Sequence, residues 1–408
     1  VSTSPQTLAR PTVAPSRGVL PATYRHVVVW TAYLYAATVP LLNTVTLPGL
    51  GTVSRATGVV FAAAGGIALL AERHRRPFDD AHWLALALLA WAALSLLWSI
   101  DPGTTERTAF TLAQVVLTML LFWEFCRSRE QLRAVMRAFV VGASLIAVQL
   151  VQGALTAVED PTRYTVADAH PNSLAFMVSL AIVPAWYLGV TSPHRVERVL
   201  MRLFPVLALV MVVFTASRSA LAVTGVALLV VPFTMGQVRL RGRLVGVLLV
   251  AAGVALALSL APSKPLERLG TAAEQVESAD LSGRGELWRA SAQVLSEAPY
   301  VGVGLGGTAA SLREVIGEDR GAHNTFLAVA VELGLIGLLL FTLLLVACLM
   351  PGLWVRGPDG VLLRVLALTL VLGLMPRHWH LEKATWLVLA IILGLAAAHR
   401  DDPGRTGP

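Results

Sequence analysis

The chain has 408 residues, of which 56% are apolar and only 14% charged. A soluble surface needs about 25% charged residues, so these proportions exclude a soluble enzyme, a disordered chain, a collagen and a disulfide scaffold, and place most of the surface in lipid. The net charge is +7, thirty of the 32 basic residues are Arg, and two cysteines, Cys126 and Cys348, are too few for a disulfide framework.

Taken in chain order, the polar residues 1–25 lack an apolar core and a cleavage site, and read as a disordered cytoplasmic tail. Windows able to cross ~30 Å of hydrocarbon then recur at 26–46, 56–71, 81–99, 108–125, 138–157, 172–190, 203–217, 219–235 and 244–261. Three more follow at 323–350, 361–376 and 383–398, and 399–408 reads as a second tail. Such continuous apolar runs fit helices and not the alternation of a barrel. The expected fold class is therefore all-α: a polytopic membrane helix bundle of about twelve transmembrane helices. Nine lie in 26–261 and three in 323–398, with one long extracytoplasmic helical loop at 262–322. With both termini cytoplasmic, short connectors and tails carry 20 basic residues inside against 6 outside, as the positive-inside rule requires. The Arg and GC-type residue bias (Ala, Val, Leu, Gly) points to a high-GC genome.

The long loop is too large for a structureless connector. Apolar residues Leu287, Ala290, Val294 and Ala298 recur at helical steps, and Pro299 ends the run. A glycine-rich turn spans 301–307, and a second short helix is expected over 308–316 with Gly317 as its C-cap. Chemistry is then expected at the outer membrane boundary.

Arg218, between two apolar runs, is either an interfacial anchor or an anion ligand. Arg284, between Gly283 and Gly285, suits bidentate phosphate binding and equally a solvated surface. His323 sits where the tenth span opens; near a helix N-terminus the neutral imidazole is favoured, which suits a general base. Asn324 reads as the N-cap. On a continuous helix, Gly334 and Gly337 lie about 20° and 40° from His323, and Glu332 about 180° away. The glycines then read as a close-packing face, and Glu332 as a structural hydrogen bond or a functional carboxylate. His170 and Asn172 lead into the sixth span, and His378 and His380 flank Trp379. No histidine pair has helical ligand spacing and no cysteine lies outside, so no metal site is expected. The alternating glycines at 302, 304 and 306 follow no strand, which argues against a nucleotide fold. Seven tryptophans, at 30, 83, 91, 98, 123, 186 and 386, read as interfacial belt or packing.

His323-Asn324, nine residues, then Gly334-Leu335-Ile336-Gly337 resembles the signature of O-antigen ligases and O-antigen polymerases. Thr215 to Ala220, Gly283 to Trp288, Ala298 to Gly304, and the Asp168 to Ala175 segment fall in the same order as in that superfamily. The resemblance implies a metal-independent, inverting glycosyltransferase that needs no cofactor. The donor would be a glycan on undecaprenyl pyrophosphate, and the acceptor an extracytoplasmic hydroxyl on a glycan, lipid or wall polymer. It implies Arg218 and Arg284 on the pyrophosphate and His323 as catalytic base, with His170, Asn172 and Asn324 in support. The expected location is the bacterial plasma membrane, with membrane lipid and no nucleic acid as partner. A polysaccharide polymerase is the first alternative. A solute transporter of the same superfamily is the second, disfavoured because only Glu332 lies deep.

Overall fold

A computed structural model describes residues 22–71, 75–157, 161–234, 240–270, 284–317 and 319–401. The expected tails at 1–21 and 402–408, Arg73, Arg239 and loop residues 271–283 lie outside the described residues. Every expected apolar window carries a helix. In chain order these are α1 (Ala22–Thr38), α2 (Val53–Ala71), α3 (Asp80–Leu94), α4 (Pro102–Phe125), α5 (Arg129–Thr156), α6 (Pro171–Thr191) and α7 (Arg195–Phe214). A broken pair, α8 (Arg218–Leu228) and α9 (Val230–Thr234), follows, then α10 (Leu240–Leu260) and a short α11 (Ser263–Gly270). The loop contributes α12 (Arg284–Glu297) and α13 (Thr308–Ile316), and α14 (Thr325–Leu353), α15 (Gly357–Leu374) and α16 (Lys383–Arg400) complete the bundle. Among the described residues the only strands are the hairpin pair Thr46–Leu47 and Gly51–Thr52.

Eight of these helices are long and apolar enough to cross a membrane alone, and α10 makes nine when counted with α11, from which it is bent by 115°. The other three windows are helical but differ from a simple span. α1 is 17 residues long. α7 starts eight residues early and carries Arg195, Glu197, Arg198 and Arg202. α8 and α9 break a single short span into two pieces.

Local sequence explains the helix starts. Asp79 and Ser128 each form a capping box, and Ser217 accepts from the Ala220 amide at 3.4 Å. α6 and α16 are central: every residue from Leu174 to Gly189 and from Ala384 to Ala398 is buried. α2 is peripheral, burying only Ser54, Phe61, Gly65 and Ala68 along one stripe. Leu70 and Leu97, 88% and 81% exposed, are then lipid-facing rather than misplaced.

The two ends of the bundle treat charge differently. At the end holding the α4–α5 and α6–α7 connectors, arginines meet acids: Arg76–Asp401 at 3.2 Å, Arg129–Asp359 at 3.1 Å, Arg137–Glu197 at 2.8 Å and Arg400–Asp79 at 2.9 Å. The opposite end holds the loop helices and the candidate site.

Candidate active site

The site begins with a broken helix. α14 contains Gly334 at φ 67° and ψ −173°, a conformation open only to glycine. The turn after Pro299 fills the gap. Val303 N–H donates to the Val331 carbonyl at 3.0 Å and Gly304 N–H to that of Glu332 at 2.9 Å, while Leu335 N–H donates to the Pro299 carbonyl at 2.8 Å. The loop thus supplies the backbone partners that the break removes from the helix. Contact is at backbone distance: a Cβ on Gly334 would lie 2.1 Å from the Tyr300 oxygen, and one on Gly302 2.5 Å from the Glu332 carbonyl. Trp91 and Trp98 donate to the Leu333 and Val301 carbonyls at 2.9 and 3.2 Å, fastening the junction to α3 and its end. These two tryptophans serve packing rather than an interfacial belt. Trp30 and Trp83, 68% and 62% exposed, fit the belt.

The break also corrects the helical-wheel reading. His323 precedes α14 and sits at φ 47°, with Asn324 as N-cap accepting from Phe326 N–H at 3.0 Å and Leu327 N–H at 3.2 Å. A phase counted from His323 through a continuous helix therefore has no meaning beyond these points. Gly334 serves the break, not a flat packing face. Ala167 and Ala216 share the left-handed φ of 47° in neighbouring segments. For non-glycine residues that strain costs about 1–3 kcal/mol each, so three strained positions fall in the connectors that form the site.

Arginines converge on this end from five segments. Arg163 donates from Nε to the Thr215 carbonyl at 3.0 Å and from Nη2 to Asn172 Oδ1. Its pKa falls to about 10, from burial first and then the like charges of Arg268 and Arg218. Arg284, at the start of α12, is lowered by burial and by Arg218. Arg377 is lowered to about 9, by burial first and then by Arg284 and Arg163. These couplings tie Arg163, Arg218, Arg268, Arg284 and Arg377 into one field. Among the described residues no acid lies within ion-pair distance of Arg163, Arg284 or Arg377. His323 belongs to the same field: burial, then Arg284, His170, Arg320 and His378, bring its pKa down to about 4. His170 is lowered by burial, Arg163 and Arg377, and its Nδ1 accepts from Asn172 N–H at 3.2 Å. Trp288 Nε1–H donates to the Ala322 carbonyl at 3.0 Å, which holds the start of the loop helix against the strand of chain leading to His323.

A second cluster lies beneath. Glu332 is fully buried at the break. Its Oε1 accepts from Thr308 at 2.7 Å and stands 3.2 Å from His378 Nε2, while its Oε2 stands 3.2 Å from His380 Nε2. Burial opposes protonation of His378, but the Glu332 carboxylate outweighs it and the pKa rises. For His380 burial prevails and the pKa falls. The ligand-type atoms of Glu332, His378 and His380 lie within 4.8 Å of one another, which is also the spacing of a small metal site. The spacing of the histidines alone does not reveal this group, because in the sequence Glu332 falls inside a membrane span, away from His378 and His380. Separately, a cavity of about 190 Å³ opens beside His170, between Asp168, Glu382 and Lys383. His323 and Arg284 do not line it.

Residues 203–342 match the family model described as O-antigen ligase. The match covers about a third of the chain and makes that region similar to the O-antigen ligase family. The helices fit a multi-pass membrane protein, and the match supports an enzyme of glycan transfer in general. Comparison with curated proteins returns no match. The matched region runs from α7 to the middle of α14 and holds Arg218, Arg284 and His323, all named from sequence. Arg163, His170, Asn172 and Arg377 lie outside it. Of these, Arg163 and Arg377 were not anticipated; Arg377 had one available signal, a lone arginine in a short connector next to two histidines.

Proposed function

We propose that this protein moves a glycan from an undecaprenyl-pyrophosphate donor to a hydroxyl outside the membrane, inverting the anomeric centre without a metal. The observation that carries the reading is the convergence of Arg218 and Arg284 with His323 in one field of cations, where no acid among the described residues pairs with Arg284. Such a site suits a ligand that brings its own negative charge. In the reaction, the anomeric C–O bond to phosphate breaks and its electron pair leaves on the phosphate oxygen. The acceptor oxygen bonds to the anomeric carbon from the opposite face, and its proton passes to His323. The leaving pyrophosphate gains negative charge in the transition state, so guanidinium groups already in place stabilise that state more than the bound donor. The field that receives the pyrophosphate also keeps His323 neutral and able to accept a proton. The positive-inside pattern supports an extracytoplasmic site and cytoplasmic termini. The donor half is common to ligases and polymerases, and a ligase-type transfer is the reading adopted.

The test is His323→Ala in protein shown to be folded. Donor binding is expected to persist, and transfer to fall about 10²–10⁴-fold, the usual yield of a general base. Transfer at wild-type rate would remove His323 from the chemistry. Loss of donor binding would move it to the binding residues.

A further inference from the structure

At the end of the bundle away from the candidate site, a cavity of about 590 Å³ lies between the α2–α3 connector and the ends of α4 and α16. Arg75, Arg76, Arg127 and Arg400 line it, against Asp79 and Asp401. Two ion pairs close part of it, Arg76–Asp401 at 3.2 Å and Arg400–Asp79 at 2.9 Å. Glu124 stands behind the cavity and pairs with Arg127. Four cations thus meet three acids, which leaves one positive charge over among the described residues. The Arg76 guanidinium lies 3.6 Å from the centre of the Trp123 ring, and its Nη1 is buried with no hydrogen-bond partner among the described residues. Burial lowers the Arg76 pKa first, and the like charges of Arg127 and Arg400 lower it further, against Asp401 and Glu124. The wall around it is fixed: Trp123 Nε1–H donates to the Pro77 carbonyl at 3.1 Å, and Arg76 N–H to Glu124 Oε2 at 2.8 Å. Phe78 lines the same cavity and meets Trp83 edge-on, 5.5 Å between ring centres. Trp83 is exposed, and so are Ile67 and Leu70 on the last turns of α2. Exposed aromatic rings beside an apolar helix end mark the headgroup level of a bilayer, so the cavity opens among headgroups.

We propose that this cavity binds the headgroup of an anionic phospholipid, whose single phosphodiester charge matches the one surplus cation. Guanidinium groups hold phosphate oxygens through planar, charge-assisted N–H pairs. Free phosphate offers the same oxygens, but only a lipid also covers the exposed side chains of Ile67 and Leu70 beside the mouth with its acyl chains. Basic pockets between helices on the cytoplasmic side are where anionic headgroups are recognised, and the positive-inside pattern puts this end there. The inference is independent of the donor reading, which concerns the other end of the bundle. A headgroup in the cavity joins the last turn of α16 to the α2–α3 connector, and by mass action it stabilises the fold.

The experiment titrates the full chain in detergent with phosphatidylglycerol and phosphatidylcholine of the same acyl chains, and reads bound lipid by native mass spectrometry alongside thermal melting. Wild type should prefer phosphatidylglycerol by about tenfold or more, the yield of a charge-assisted contact, and should melt higher with it. Arg76→Gln and Arg400→Gln should each cut that preference about fivefold, the effect of one arginine beside an anionic headgroup. Arg195→Gln, at the same end but outside the cavity, should keep it. Inorganic phosphate at millimolar concentration should neither displace the lipid nor raise the melting temperature. Equal binding of the two lipids by wild type, or full preference in folded Arg76→Gln and Arg400→Gln, would overturn the proposal. So would an equal loss in Arg195→Gln, which would assign the effect to the overall charge of that surface. Displacement by inorganic phosphate would make the cavity a free-anion site and not a lipid site. If Arg76→Gln fails to fold, Arg75→Gln, whose side chain is held by one bond to the Leu69 carbonyl, takes its place with the same expectation.

Discussion

Gly334→Ala is the sharpest test of the architecture, because its cost comes from two separate sources. The backbone at φ 67° and ψ −173° is a glycine-only region, worth about 1–3 kcal/mol of strain for any other residue. The new Cβ would also meet Tyr300 O at 2.1 Å, Tyr300 C at 2.2 Å and Val301 N at 2.4 Å. All three are backbone atoms, so no side-chain rotation relieves the overlap. The turn must withdraw, breaking bonds such as Val303 to Val331 and Leu335 to Pro299, at about 0.5–1.5 kcal/mol each. A total of about 2–6 kcal/mol follows from strain plus two lost bonds. Withdrawal also shifts Pro299, two residues past the helix Arg284–Glu297, so glycan transfer should fall by more than about tenfold. Gly66→Ala is the control: its Cβ would meet nothing within 4 Å in the middle of α2, and the change should stabilise by up to about 1 kcal/mol. The assay pairs thermal unfolding in detergent with transfer from a lipid-linked donor. Wild-type melting and wild-type transfer in Gly334→Ala would refute the break as the element that organises the site.

Three further outcomes follow from the same geometry. Arg218→Ala and Arg284→Ala should each weaken donor binding and slow transfer, with poor rescue by Lys; unchanged affinity in both, measured on folded protein, would leave the pyrophosphate role without support. Chelation should leave transfer intact if Glu332, His378 and His380 serve only one another, whereas loss with EDTA and recovery with a divalent ion would make them ligands. For topology, Glu314→Cys should be labelled by an impermeant thiol reagent from outside and Arg75→Cys should not. Ser311 is buried and would make a poor probe, and the native Cys126 and Cys348 are buried and should stay silent.

The helices were legible in the sequence because lipid imposes long apolar runs, and the loop helices because Pro299 and Gly317 punctuate them. Gly317 does cap α13 at φ 73°. Of the site, the residues legible in sequence were those that sit beside recognisable local features, such as Arg284 between glycines and His323 before an N-cap. The break in α14 was not legible: Leu-Gly-Leu-Ile-Gly reads as ordinary membrane helix until the distant turn at 299–304 is known to insert there. The cluster at Glu332 was hidden for the same reason, since an intramembrane acid finds its partners through tertiary packing, 46 and 48 positions along the chain. Arg163 and Arg377 are each a single cation in a connector. Only the fold shows that both are drawn into one field.

That field makes the pH dependence of the reaction informative. The pKa of His323 stands at about 4 in the free protein, from burial first and then from Arg284 and its neighbours. The imidazole is therefore neutral throughout pH 5–8, and kcat/KM, which reports the free enzyme, should decline only as pH falls through about 4. A base so weak is poorly matched to a hydroxyl proton. Donor binding changes this: its phosphates offset the charge of Arg284, which removes one cause of the depression and raises the pKa in the complex. The acid limb of kcat should therefore turn at a higher pH than that of kcat/KM. The same depression links pH to folding. Between the ordinary histidine value of 6.5 and about 4, the unfolded chain binds more protons, so stability from this group is present above 6.5 and lost as pH falls through that window. Rates must be corrected for the folded fraction there. Coincident limbs for kcat and kcat/KM, or an acid limb that survives in His323→Ala, would show that the titrating group is not His323. A base that becomes competent only once the anion has arrived would couple proton removal to the presence of donor, and so protect the site from idle chemistry with acceptor alone.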